Sequence, residues 1–437
     1  MARQLEVWLL GSHIGTLAQI DGRLSFSYSA DWLARAATHR DGPPLSQSLP
    51  LRTEPFDDRA ARPFFAGLLP EGDKRKLIAQ ALQVSRQNDF ALLDGIGGEC
   101  AGAVTLLEPG QTPQAPDAPN PVRWLDDAHL SRLLDEMPKR PMLAGDEGLR
   151  LSLAGAQDKL PVVADGARIG LPLFGSPSTH ILKPPIAGVD GSVFNEGFCM
   201  ALARACKLDV ARATVQQVGE RHYLLVERYD RKTLAGHPPQ LQERLHQEDF
   251  CQALGVVPET KYQNEGGPDL AQAFDLLRRA TRPSAPHILK LLDFVVFNAL
   301  IGNHDAHAKN FSLLYTARGA VLAPLYDALS TAVYPTLSDK MAMKIASKYK
   351  FSELQARHWE QFATRAALSP AQVRKRIVEI AKRLPDFART TQATFEAQGN
   401  DHAIVGKIVA LIDQRCALTI RRLTASSEDD ALRTEER

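Results

Sequence analysis

Apolar and polar residues alternate from Leu5 to Tyr28, in "LEVWLLGSHIGTLAQIDGRLSFSY". A period of two, punctuated by Gly11, Gly15 and Asp21-Gly22, predicts a β-meander with Asp-Gly as a hairpin turn. Residues 63–107 look helical at first, then return to glycine and a strand in "GIGGECAGAVTLLEP". "EPGQTPQAPDAPNP", Glu108 to Pro121, is proline-rich and polar. Nothing there can bury a core, so it reads as a linker and a domain boundary. Beyond it, "LRLSLAGAQDKLPVVAD" predicts strand, small-residue turn, strand. "THILKPP" predicts a short strand stopped by Pro184-Pro185. "NEGFCMALARACKLDV" sets Phe198, Ala201, Leu202 and Ala205 at helical spacing, and Glu196 opens that segment. "ATVQQVGERHYLLVERYD" supplies two more strands. From Gln240 onward the pattern is mainly helical, with "FSLLYTARGAVLAPLYD" as a hairpin exception that turns at Ala317-Arg318-Gly319. The tail "SSEDDALRTEER" reads as a polar, frayed end. The chain is thus expected to be an α+β protein divided as 1–108 (β-rich), 109–122 (linker), 123–229 (small mixed domain) and 230–437 (mainly helical). No repeat at solenoid spacing occurs.

Composition changes this picture little. With 437 residues, the chain is long enough for two or three domains and a sizeable core. A net charge of +1, from 52 basic and 51 acidic residues, gives no global reason for nucleic-acid or membrane binding. Cys100, Cys199, Cys206, Cys251 and Cys416 form no CxxC pair, which argues against a zinc ribbon and for reduced thiols in a cytosolic protein. No apolar run of membrane-spanning length and no leader-like segment occurs, so a cytoplasmic protein is expected.

The chemistry concentrates in "IGNHDAHAKNFSLLY", Ile301 to Tyr315. Upstream, "ILKLLDFVVFNALIG" is apolar enough to be a buried helix. Ending such a helix in Asn303, His304, Asp305 and His307 places costly polar groups at a buried rim. Simple capping explains one such residue better than four. A second reading makes His304, Asp305 and His307 metal ligands, although no partner cluster is evident elsewhere. A third uses the spacing. Asn310 follows Asp305 by five positions, as in the D-x-x-x-x-N loop of kinases. There the aspartate takes the proton of the attacking hydroxyl and the asparagine binds magnesium. A hairpin then leads to Asp327, placed to be the second magnesium ligand, and Lys309 is placed to meet phosphate or substrate.

Other parts of a kinase occur in order. Ala154, Gly155 and Ala156 of "SLAGAQDK" let backbone N–H groups approach phosphate oxygens, although a plain tight turn explains them equally. Lys183 ends a strand, as a phosphate-contacting lysine does, or is an exposed strand-end lysine. Glu196 is either its ion-pair partner or a charge at a helix N-terminus. Glu227-Arg228-Tyr229 ends a buried strand and suits an adenine-binding hinge; alternatively Tyr229 is a strand-end aromatic.

In this order, "SLAGAQDK", "THILKPP", "NEGF", "VERYDR", "RLHQEDFCQALG", "NHDAHAKNFSLLY" and "APLYD" resemble the HipA toxins over nearly the whole chain. The resemblance implies a two-lobed protein-kinase-like fold with an N-terminal β-rich subdomain and a mainly helical C-terminal lobe. It implies a non-specific serine/threonine protein kinase using ATP and Mg2+, the toxin of a type II toxin–antitoxin pair. Its partners would be a HipB-like helix-turn-helix antitoxin, operator DNA through that complex, and an aminoacyl-tRNA synthetase as substrate, notably glutamyl-tRNA synthetase. Growth arrest, persistence and repression of its own operon would follow. Asp305 falls on the catalytic base, Asn310 and Asp327 on the magnesium ligands, Lys183 on the phosphate-contacting lysine and Glu196 on its positioning carboxylate. Ala154, Gly155, Ala156, Gln157, Asp158 and Lys159 fall on the phosphate loop, and Glu227, Arg228 and Tyr229 on the hinge. His307 and Tyr326 lie in nucleotide-contacting segments, and Ser152 falls on the autophosphorylated serine. Asp327 is followed by Ala328-Leu329 instead of Phe-Gly, and no A-P-E follows, so control through an activation loop of the usual kind is not expected. Two alternatives remain: a small-molecule phosphotransferase, which would not need the N-terminal module or "AGAQDK", and a non-enzymatic co-repressor, which only an activity assay separates.

Overall fold

Strands β1 (Arg3–Leu9), β2 (Ser12–Ile20), β3 (Arg23–Tyr28) and β4 (Val104–Leu107) form an antiparallel sheet in the order β3-β2-β1-β4. Asp21 and Gly22 join β2 to β3 with φ of +50° and +79°. Positive φ at both central residues matches a two-residue turn to the strand twist, so the meander follows from the sequence. Leu5, Val7, Leu9, Leu24, Phe26 and Tyr28 are buried. The helix Asp58–Gly67, N-capped by Asp57 through Ala60 N at 3.1 Å, brings Phe65 to 5.4 Å from Phe26, ring to ring.

The structure is a computed structural model that describes residues 3–38, 42–113, 121–233 and 242–435. It divides into two compact units. One comprises Met1–Pro184, Gln216–Glu259 and Ser312–Ala323; the other comprises Pro185–Val215, Thr260–Phe311 and Pro324–Arg437. Residues 114–120 of the expected linker, Gln240 and the last two residues of the tail lie outside the described residues.

A second sheet contains β5 (Val122–Leu125), β6 (Leu160–Asp165), β7 (Arg168–Pro172), β8 (His180–Lys183), β9 (Ala213–Val218) and β10 (Arg221–Glu227), ordered β5-β7-β6-β8-β10-β9. The expected strand before the small-residue turn shrinks to a single bridge, Glu99 to Leu151. Further on, Gln247–Asp249 pairs with the hairpin Ser312–Thr316 and Gly319–Leu322. Glu248 on this sheet is fully enclosed. Its carboxylate accepts from Ser46 Oγ, from Gln47 N at 3.0 Å and from Tyr315 OH.

The second unit is mainly helical. Its helices are Ser192–Ala205, Leu270–Ala280, Ala285–Ile301, Ala356–Arg365, Pro370–Ala397 and Ala403–Glu435. From Leu291 to Ile301 every residue but Asp293 is buried, the mark of a helix enclosed on all sides. The last helix continues into the tail that reads as frayed. Two expectations need correction. Lys340–Ile345 and Lys348–Lys350 form a second hairpin within the region read as helical, with Met341, Ala342, Met343 and Ile345 buried and Ala346 turning at φ +55°. Methionine, alanine and lysine favour helix locally, and burial of the strand overrides that preference. Glu196 does not open its helix: the helix begins at Ser192 after Gly191. Asn195 beside it is wholly buried; its Nδ2 donates to Ser330 O at 2.9 Å and its Oδ1 accepts from Ser330 N at 2.7 Å.

Two outcomes follow. Burial pushes the Glu248 carboxyl up to about 7, against the pull of its three donors. Below its unfolded value the group is neutral in both states; between there and about pH 7 only the unfolded chain gives up its proton, so folding loses free energy as pH rises. His246, which burial pushes down to about 4, acts in the opposite sense, so the comparison is with a variant. Glu248→Gln should gain on wild type progressively from about pH 4.5 to pH 7, by on the order of 1–3 kcal/mol. Denaturant titrations at several pH values check this, and a pH-independent difference refutes it. Asn195→Ala should cost roughly 1–3 kcal/mol in the same titrations, because Ser330 N and O lose buried partners.

Candidate active site

The enclosed helix Ala285–Ile301 stops at Gly302, whose φ is +80°. A Cβ there would lie 2.7 Å from Ala332 Cβ, so a side chain is excluded on packing as well as on backbone grounds. Asn303 then organises the turn. Its N donates to Asn298 O at 2.9 Å and its Nδ2 to Asn298 Oδ1 at 2.9 Å. Its Oδ1 accepts from Asp305 N at 3.1 Å, and Nδ2 also reaches Asp327 O at 3.4 Å. One buried amide therefore holds the main chain of both Asp305 and Asp327.

Asp305 O accepts from His307 N at 2.8 Å and Asn310 Nδ2 at 3.1 Å, which closes the loop over its five-residue spacing. Tyr262 OH donates to Asp305 Oδ1 at 2.8 Å, setting the rotation of the carboxylate. Asp305 and Asp327 are half-buried, whereas His307, Lys309 and Asn310 are buried. Asn310 spends its N–H2 on the loop, so its Oδ1 is the face that can meet a cation. Asp327 sits at φ +57°, and Tyr326 OH donates to Lys309 O at 2.7 Å. In this unit, then, Asp305, His307, Lys309, Asn310, Tyr326 and Asp327 come together. Glu196 follows Asn195 as the fifth residue of the helix Ser192–Ala205 and is buried, so it lies beyond the first turn, where the reading as a charge at a helix N-terminus would need it.

The metal-ligand reading of His304 fails. Its Nδ1 faces Ser338 O at 3.0 Å and its Nε2 faces Arg415 at 3.0 Å. Arg415 also binds Ala299 O at 2.7 Å, and burial pushes its guanidinium down to about 10. Among the described residues no group of three or more His, Cys, Asp or Glu could hold a metal by itself. Magnesium needs no such cage: it takes one or two hard oxygen ligands, waters and nucleotide phosphates. The side-chain oxygens of Asn310 and Asp327 are donors of that type.

The remaining residues lie in the other unit. Lys183 ends β8, between β6 and β10, with Leu182 opposite Leu160 and Lys183 opposite Leu224. It is buried, against the reading as an exposed strand-end lysine. In the loop after Leu153, Gly155 has φ +109° and O accepts from Glu71 N at 3.0 Å; a Cβ on it would lie 2.9 Å from Lys159 Nζ. Asp158 pairs with Lys74 at 2.7 Å. Ala154, Gln157, Asp158 and Lys159 are partly buried and Ala156 is exposed. Ser152 is wholly buried; its Oγ donates to Leu68 O at 2.7 Å. Glu227, the last residue of β10, is exposed, and Tyr229 past it is half-buried with its OH on Gln247. Arg228 is buried between them, with N donating to Thr179 O at 3.0 Å and O accepting from Arg231 N at 3.3 Å. It therefore anchors this stretch, with its main-chain N–H already taken.

Tyr262, Asn303 and Asn195 are the positioning residues that spacing alone misses. Tyr262 stands in a polar stretch without periodicity, and nothing in sequence ties it to Asp305. Asn195 is the asparagine of "NEGF", overshadowed by the carboxylate after it.

A family model described as the HipA-like C-terminal domain matches residues 151–387, and one described as the HipA N-terminal domain matches residues 5–107. A Sinorhizobium fredii protein named "Putative kinase Y4mE" is 50% identical over 384 residues, covering 86% of this chain and 89% of that one. The Shewanella oneidensis "Serine/threonine-protein kinase toxin HipA" is 30% identical over 390 residues, covering 86% of this chain and 87% of that one. The solved structure of the Shewanella oneidensis MR-1 toxin–antitoxin complex of HipA, HipB and operator DNA superposes with a TM-score of 0.78 at 26% identity, covering 96% of each chain. Matched over its kinase-like and N-terminal parts alike, the chain belongs to the HipA family of kinases.

Proposed function

We propose that this protein is a toxin kinase that transfers the γ-phosphoryl group of ATP to a serine or threonine hydroxyl of a protein. The observation that carries this reading is the Asn303 amide, which holds Asp305 and Asp327 in one cluster with Asn310. A proton acceptor and two oxygen ligands at kinase spacing are the minimum set for phosphoryl transfer.

Asp305, oriented by Tyr262, accepts the proton of the attacking hydroxyl at its carboxylate. Asn310 and Asp327 would hold Mg2+, which when bound would neutralise charge on the phosphates. Lys183 and residues 154–159 bind phosphate oxygens; Gly155, at a φ of +109° that a side chain would strain, keeps the backbone accessible there. Glu227 and Tyr229 meet the adenine, His307 and Tyr326 line the nucleotide, and Arg228 fixes the hinge from below. Ser152 is the autophosphorylation site. It is bonded to Leu68 in the core, so it becomes an acceptor only when its segment lifts. The added charge of about −1.5 to −2 then has no place in that core and keeps the loop out, which silences the enzyme.

The working division of labour is 1–108 as accessory module, 109–122 as linker, 123–229 as nucleotide-binding lobe and 230–437 as catalytic lobe. The Shewanella oneidensis complex supports a HipB-like antitoxin and operator DNA as partners. The family resemblance supports an aminoacyl-tRNA synthetase, glutamyl-tRNA synthetase first, as the substrate whose modification arrests growth. A cytoplasmic site of action accords with that substrate. No described helix is long and apolar enough to cross a membrane.

Intact mass after incubation with Mg-ATP tests the reading. Wild type should gain one phosphate mapping to Ser152, and should also modify added glutamyl-tRNA synthetase. Asp305→Ala should lower both rates by about 10²–10⁴-fold with an unchanged melting temperature. Full activity in Asp305→Ala removes Asp305 from the chemistry, and an unmodified wild type with no phosphate at the start removes the kinase.

A further inference from the structure

The glycine-rich stretch "GIGGECAG", Gly95 to Gly102, has no part in the mechanism above, yet it holds the most enclosed charge of the N-terminal module. Glu99 is wholly buried. Its Oε1 accepts from Arg228 Nη1 at 3.0 Å, Arg231 Nη2 at 2.8 Å, and Ser178 N and Oγ, both at 3.0 Å. Its Oε2 faces Arg244 Nη2 at 2.5 Å. The following carbonyls continue the pattern: Cys100 O accepts from Arg228 Nη2 at 3.0 Å and Gly102 O from Arg231 Nη1 at 3.0 Å. Asp230 closes the network against Arg228 at 2.7 Å and accepts from Gly102 N at 2.7 Å.

The main chain of Glu99 reaches a different part of the nucleotide machinery. Its N donates to Arg150 O at 2.7 Å, and its O accepts from Ser152 N at 2.9 Å. Close approach is required: a Cβ on Gly98 would lie 2.8 Å from Arg150 Cβ, and one on Gly102 would lie 2.8 Å from Gln247 N. The glycines flanking Glu99 thus admit it between the segment that carries the phosphate loop and the arginine between the two adenine-facing residues.

We propose that Glu99 is a positioning residue of the nucleotide site, its side chain setting the hinge through Arg228 and its main chain setting the phosphate loop through Arg150 and Ser152. The inference rests on the reading of residues 154–159 and 227–229 as the ATP cradle. It makes the N-terminal module an integral part of ATP recognition. Loss of the Glu99 charge leaves the Arg228 guanidinium with one carboxylate in place of two, and the main chain on either side shifts with it.

The test is binding of non-hydrolysable ATP and GTP analogues, with Mg2+, to the full chain as wild type, Glu99→Gln and Ser178→Ala. Ser178→Ala removes one hydroxyl that donates to Glu99 and accepts from Arg228 Nη1 at 2.9 Å, and keeps every charge, so it reports on the Glu99–Arg228 contact even where Glu99→Gln fails to fold. Glu99→Gln should weaken the ATP analogue about tenfold and Ser178→Ala about threefold, and both should narrow the preference for adenine over guanine. At saturating ATP, kcat of the folded variants should stay within about twofold of wild type, a KM effect without a kcat effect. A purely structural role lowers the melting temperature and the active fraction but leaves affinity and base preference unchanged. That result in either folded variant overturns the inference alone. A wild type that binds no ATP analogue overturns the cradle itself, and the inference with it.

Discussion

A helix buried on every side cannot run into a polar loop unless each polar atom of that loop finds a partner inside the protein. The helix Ala285–Ile301 ends under that constraint, and Asn303 satisfies it. Its amide uses both donor and acceptor sides within five residues of chain and across to Asp327. The geometry proposed for phosphoryl transfer is therefore a by-product of how the core is closed. The residues that carry charge are placed by neighbours that do not.

The other unit obeys the same rule with ions instead of amides. Glu99 and Asp230 face three arginines, two of them fully enclosed. The arginines hold the Glu99 carboxyl down at about 2 in spite of its burial. A buried pair of this kind adds little net stability over apolar packing but is costly to break from one side. Its value is geometric: Arg228 and Arg231 also bind main-chain carbonyls of the glycine-rich stretch, which fixes that stretch against the end of β10.

Much of this was legible in the sequence, for identifiable reasons. The Leu5–Tyr28 meander shows because one face of the sheet is buried and the turn chemistry is local. The buried helix and the Asp305–Asn310 spacing show because both are short-range patterns. Three features were illegible. The hairpin Lys340–Lys350 is written in helix-favouring residues and forms through burial. Tyr262 meets Asp305 across forty-three positions of chain, and no periodicity marks that meeting. The histidine cluster resembled a metal site because residue type is visible in a sequence and ring orientation is not; His304 turns both nitrogens onto a carbonyl and an arginine. Ordered motifs supplied the family resemblance where single spacings could not.

Gly302 and Asn303 close the end of the buried helix by packing and by amide hydrogen bonds, and Asp305 stands half-buried on the turn they make, with the Tyr262 hydroxyl on its Oδ1. Selection acts on such an arrangement in a particular way. Under the kinase reading proposed above, a single base change at Asp305 would end the chemistry while the residues that shape the helix end stay in place. A disarmed allele of this kind would still occupy a partner shaped to hold the active form.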